Sequence, residues 1–153
     1  MKKKTALQIR RVGAFLFILY IIALVYFLFF AEEYGRAPSI GEYRYNLVPF
    51  KEVQRFFKYR ETLGTFAVIT NLVGNIVGFI PFGLILPIIN RRIRNLILIG
   101  TLSFELSLVV EVTQLVLKVG IFDVDDLLLN TLGGIIGYTI FYVCNKLRRK
   151  YYG

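Results

Sequence analysis

Histidine is absent from this chain. That gap removes imidazole bases, Ser-His-Asp triads and His-ligated metal sites. Tryptophan is absent as well, so an aromatic belt at a membrane interface falls to tyrosine, of which there are ten. Cys144, the single cysteine, has no partner for an internal disulfide, and its plain reading is a small buried residue near the end of the last helix. Acid is scarce, ten Asp and Glu against 19 Lys and Arg, for a net charge of +9. A basic surplus can mark a nucleic-acid binder. Here the cations gather at the ends of apolar blocks, where membrane topology accounts for them, and nucleic acid drops out as a partner.

What is present is apolar sequence in long blocks. Hydrophobic residues make up 56% of the 153, enough for one domain, and their arrangement in runs instead of stripes marks a polytopic membrane protein. Residues 12–31 come after a basic N-terminal segment and hold no charge. The run is too long for a signal-peptide core and ends in Phe29-Phe30-Ala31, so it is expected to be a retained first span. Further spans are expected over about 66–89, 96–117 and 127–144. Between the first two lies a polar segment, 32–65, in which Phe50, Val53, Phe56 and Phe57 form an apolar stripe at helical spacing beside Lys51, Arg55, Lys58 and Arg60. Such a helix can lie on the membrane surface or pack on its own bundle.

The positive-inside rule orients the spans. With the N-terminus inside, the cytoplasmic pieces hold five, three and four basic residues and no acid. The expectation is an all-α polytopic protein, a single domain over 1–153. It has four transmembrane helices with both ends in the cytoplasm, external loops at 32–65 and 118–126, and an interfacial helix as an option in the first of these.

Polar residues inside the spans then agree in depth. Glu111 falls about six residues, ~9 Å, below the outer end of the third span, on one face with Ser103, Ser107 and Gln114. Asp126, Asn130, Gly133 and Gly137 share a face of the fourth span. Asn71, Gly74, Asn75 and Gly78 share a face in the outer half of the second, where small residues are expected to allow close helix approach. Pro81 is expected to kink that span. Glu105 points some 120° away from Glu111, at 100° per residue, and stays unplaced. The candidate binding residues are therefore Asn71, Asn75, Ser107, Glu111, Gln114, Asp123, Asp125, Asp126 and Asn130.

These residues fit several chemistries. Asp123, Asp125 and Asp126 offer hard oxygen ligands for Ca²⁺ or Mg²⁺, although the short Asp-x-Asp-Asp run is a weak metal signal and no cofactor is expected. Glu111 and Asp126 are the candidates for a general acid/base pair. Carboxylates and amides together also suit a polar head group. The plain alternatives are that an aspartate caps the helix after it, and that the amides join helices.

The same residues resemble the VanZ-like family of bacterial membrane proteins. The matching pieces are Asn46-Leu47-Val48-Pro49-Phe50, then Asn71–Pro87, then Ser107–Tyr138, with matches at Asn46, Pro49, Asn75, Pro81, Glu111, Gln114, Asp125, Asp126, Asn130 and Gly134. The family pattern leads one to expect Arg or Ser where this chain has Val119-Gly120-Ile121-Phe122. The resemblance implies a multi-pass protein of the bacterial cytoplasmic membrane associated with resistance to teicoplanin-type glycopeptides. Its implied contacts are membrane lipids, a lipid-linked cell-wall precursor or the glycopeptide itself. A pocket that binds or shields an envelope lipid leads these expectations. An intramembrane enzyme acting on a lipid-linked precursor, or a non-catalytic assembly partner, are the alternatives, with a homo-oligomer left open.

Overall fold

The computed structural model describes residues 3–29, 43–58 and 65–152. In chain order it contains α1 (Lys3–Phe29), a two-residue strand β1 (Tyr45–Asn46), the short helix α2 (Lys51–Lys58), α3 (Thr65–Ile89), a 3₁₀ turn (Arg91–Ile93), α4 (Leu96–Leu117), a two-residue strand β2 (Phe122–Asp123) and α5 (Val124–Tyr152). Among the described residues, four helices carry segments long and apolar enough to cross a bilayer: Leu7–Phe29, Leu72–Ile89, Leu96–Leu117 and Val124–Tyr151. The all-α polytopic expectation holds, with one addition. β1 and β2 pair in parallel, Tyr45 opposite Phe122 and Asn46 opposite Asp123.

α5 is the centre of the bundle. It packs most extensively on α3, receives α4 on another side, and leaves α1 to pack on α3. Glycines set the α3–α5 distance. A Cβ added at Gly133 would overlap the carbonyl oxygen of Ile76, one at Gly137 that of Ile80, and one at Gly83 that of Gly134. Gly134 itself lies against the Ser103 hydroxyl of α4. Backbones this close exchange dispersion contacts that longer side chains would forbid, which is the packing available when lipid removes the hydrophobic drive between helices. The closest approach of α5 to α3 therefore runs along Ile76, Ile80 and Gly83. Gly74, expected to serve it, is exposed and faces open space, and the nearest group to a Cβ at Gly78 would be Leu24 at 4.0 Å. Asn75 does meet α5, through Asp126, but α5 packs on the face of Ile76, Ile80 and Gly83, and Gly74 and Gly78 lie on roughly the opposite side of α3.

The outside of the bundle is apolar. Ile97 is 79% exposed and Val109 63%, values fit for lipid as solvent. Inside, Ile99, Tyr138 and Phe141 form a cluster with Leu84, Leu86, Ile88 and Ile93 at the end where the two chain termini lie. The 90–95 turn there is held by its asparagines. Asn90 accepts from the Arg92 amide at 3.0 Å, and Asn95 caps α4 by accepting from Ile97 and Leu98 at 2.8 and 3.2 Å. Arg94 donates Nε to the Pro87 carbonyl at 3.0 Å and lies 5.1 Å over the Phe141 ring. It thereby satisfies a carbonyl that the end of α3 leaves without a helical partner.

Several boundaries differ from the apolar runs. α1 begins at Lys3 and α5 continues to Tyr152, because a helix can extend beyond the part of it that is apolar. α3 continues as one helix through Pro81 and Pro87. α5 begins at Val124 and not at 127, so Asp125 and Asp126 lie in its first turn and not in the preceding connection. Cys144 is exposed on α5. The end of the first span at 31, most of the 32–65 segment, and the Phe56 and Phe57 side chains lie outside the described residues.

Candidate functional site

The site is built where the α4–α5 hairpin turns. α4 stops because Lys118 adopts φ 56°, its amide donating to Leu115, while Val119 donates to Gln114 at 3.0 Å. Left-handed backbone costs a lysine roughly 1–2 kcal/mol, so the turn is held by contacts further along the chain. The first of these is at Phe122, whose amide donates to Arg44 at 3.1 Å and locks the β1–β2 ladder. The chain then enters α5 through Asp123. Its carboxylate accepts from the Asp125 amide at 2.9 Å, an N-cap bond to the second helical residue. The plain capping reading is correct for this aspartate.

Asp123 is also the hub of a wider network. Its amide donates to Glu111 Oε2 at 3.0 Å, and its carboxylate accepts from Asn46 Nδ2 at 3.1 Å. Asn46 uses its own oxygen to accept from the Val48 amide at 3.3 Å, closing an Asx turn that leads into Pro49. Asp125 then reaches across to α2. One carboxylate oxygen accepts from the Phe50 amide, and the other from the Val53 amide at 3.2 Å. Phe50 has φ 63°, a conformation aromatic residues seldom adopt, and its amide is held by Asp125.

One carboxylate thus lies at the positive ends of two helices, in the first turn of α5 and at the start of α2. Glu111, Asp123 and Asp125 are 2%, 8% and 2% exposed, and Asn46 is 6% exposed. Burial of this many carboxylates is tolerable because N–H donors meet them: the amides of Phe50, Val53, Asp123 and Asp125, and the Asn46 side chain.

The other expected residues fall around this network. Asp126 is half-buried and accepts from Asn75 Nδ2 of α3. Asn130 donates to Ser107 Oγ at 2.9 Å, joining α5 to α4. Its own Oδ1 and the Ser103 hydroxyl are buried with no hydrogen-bond partner among the described residues. Gln114 donates to the Leu28 carbonyl at 2.9 Å, anchoring the end of α1. The structure therefore brings Glu111, Asp123 and Asp125 into one unit, and pairs Asp126 with Asn75 and Asn130 with Ser107. The Asn71 side chain lies outside the described residues. Glu105 is exposed, away from this network.

Two contributors were not among the expected site residues: Asn46, and the backbone of Phe50 and Val53. An Asn two residues before Val48-Pro49 carries an Asx-turn signal, but nothing local says that its amide meets an acid 77 residues on. Among the described residues no group of three acidic or cysteine side chains is placed to hold a metal ion. Asp123, Asp125 and Asp126 turn instead toward Asn46, the α2 amides and Asn75. Glu111 and Asp126, the acid/base candidates, hydrogen-bond to different neighbours, the Asp123 amide and Asn75.

Comparison with known proteins bears on this arrangement. The VanZ/LLP1 family model matches residues 17–145, which include every element of the network. Protein VanZ of Enterococcus faecium is 29% identical over 133 residues, covering 84% of this chain and 72% of that protein. No solved structure matches. With the family model spanning most of its length, the chain belongs to the VanZ/LLP1 family.

Proposed function

We propose that this multi-pass membrane protein resides in the bacterial cytoplasmic membrane with both termini inside, and that its hairpin end faces the cell envelope. There it contributes to teicoplanin-type glycopeptide resistance by binding or shielding an envelope lipid or its head group. The orientation rests on the basic residues: the segments at the termini end carry cations without acids. The association with glycopeptides rests on the family.

The observation that carries the reading is the clasp made by Asp125 on α2. Buried acids hold a short cationic helix and the segment that leads into it, Tyr43 to Phe50, exposed but for Asn46, over the end of the bundle. Lys51 and Arg55 are exposed on that helix, so the acids fix the roof and the roof presents aromatic and cationic groups to a phosphate-bearing or glycan-bearing ligand. In a resistance assay, Asp125→Ala and Glu111→Ala should lower the tolerated glycopeptide concentration at unchanged membrane abundance. Full retention of resistance by both variants would remove the pocket from the mechanism. Lys51→Ala with Arg55→Ala separates the roles, lowering resistance while the clasp stays formed.

An enzyme acting on a lipid-linked precursor is the second reading, favoured by the half-buried Asp126 carboxylate oriented by Asn75. Mass spectrometry of envelope lipids from cells with and without the protein decides it; an unchanged lipid profile rejects the enzyme.

A further inference from the structure

At the termini end of the bundle an open groove of about 330 Å³ runs between α1 and α3. Ile9, Val12 and Leu16 of α1 and Ile88 of α3 are its walls, and Gly13 leaves room between them. Thr5 and Gln8 complete its lining toward the start of α1. Most of the groove is within the candidate span that begins at Leu7, so what fills it must be at home in hydrocarbon.

Beside this groove gathers a cluster of arginines. Arg94 is fixed by its bond to the Pro87 carbonyl and its seat on Phe141. Its guanidinium is held below the ordinary range by partial burial, and then by the charges of Arg91, Arg148, Arg149 and Arg10. These come from α1, the 90–95 turn and the end of α5. The stretches that supply them, 1–11, 90–95 and 145–153, contain no Asp or Glu. A ligand with an apolar chain and an anionic head matches both halves, and basic pockets between transmembrane helices are known to take phospholipid head groups. A nucleic acid or an acidic peptide would satisfy the arginines but not the groove.

We propose that this end of the protein is a binding site for an anionic phospholipid, with one acyl chain in the α1–α3 groove and the phosphate against Arg10, Arg91 and Arg94. The site lies at the opposite end of the bundle from the acidic clasp and does not depend on the reading of that clasp.

The test uses the full chain in detergent, titrated with phosphatidylglycerol or with phosphatidylcholine of the same acyl chains. Retained lipid is read by native mass spectrometry, and the shift in unfolding temperature is read alongside it. Phosphatidylglycerol should be retained and should raise the unfolding temperature, with phosphatidylcholine doing neither. Arg10→Gln with Arg91→Gln should weaken phosphatidylglycerol retention by roughly tenfold or more. A charge change at the other end, Lys118→Gln in the α4–α5 turn, should leave it unchanged. Gly13→Leu, which fills the groove, should lower retention with the arginines intact; if that variant does not fold, the arginine pair carries the test. Equal retention of the two lipids, equal loss in both charge variants, or equal protection by soluble glycerol phosphate would overturn the proposal.

Discussion

Replacing Asp125 by alanine should release α2 from the bundle while the four spans stay folded. The carboxylate accepts from two amides, Phe50 and Val53, at the start of an eight-residue helix. A helix of that length has almost no stability of its own in water, so its survival rests on tertiary contacts and on this cap. A hydrogen bond to a charged group contributes ~1.5–3 kcal/mol. Two of them would be lost, against which Phe50 regains ~1–2 kcal/mol on leaving its left-handed conformation. Exposed amides also recover water, since Phe50 is 58% exposed. The net effect is then about 2 kcal/mol, or roughly a thirtyfold rise in local opening. Hydrogen exchange tracked by mass spectrometry reads this directly. Peptides covering 50–58 should lose protection by that factor, while those within α3, α4 and α5 change little. Asp125→Asn, which keeps one acceptor, should lie between. If protection over 50–58 were unchanged in Asp125→Ala, or if the spans loosened equally, the clasp would not be what holds α2.

The glycine contacts predict opposite outcomes along one helix. Gly83→Ala and Gly137→Ala force backbone apart between α3 and α5 and should cost ~1–3 kcal/mol or more, seen as a lower unfolding temperature in detergent. Gly74→Ala, into open space, should gain up to about 1 kcal/mol from helix propensity. Asn130→Ala removes the bond to Ser107 yet also removes an oxygen that has no partner, so its cost should stay near the ~0.6 kcal/mol average for interhelical bonds in membranes. A loss of several kcal/mol there would show that Asn130 does more than join α4 to α5. Glu111→Gln keeps an acceptor for the Asp123 amide and should preserve the fold, whereas Glu111→Ala leaves that amide without this acceptor inside the bundle and should cost about 1–3 kcal/mol. Circular dichroism melts of the two variants separate these outcomes.

The chain's order and spacing determined the architecture. Long apolar runs can satisfy their backbone in lipid only as helices, so four runs dictated four spans, and the gathering of cations at their ends set the expected orientation. Helical periodicity likewise put Glu111 with Ser107 and Gln114 on one face, which the structure buries, and set Glu105 apart from it without placing it. These features depend on neighbours three or four residues away, which sequence displays. The choice of partner across the bundle was decided by tertiary structure. Asn75 and Gly83 lie on the same helix, yet which of its small residues met α5 depended on where α5 crosses. The aspartates illustrate the same division. Their type and place before a helix announced a cap, and Asp123 is that cap. That Asp125 holds the amides of a helix more than 70 residues earlier, with Asn46 closing on Asp123 beside it, required the β1–β2 ladder to bring the two segments together. Pairing between strands of two residues leaves almost no pattern in sequence, because it is made by backbone groups every residue shares.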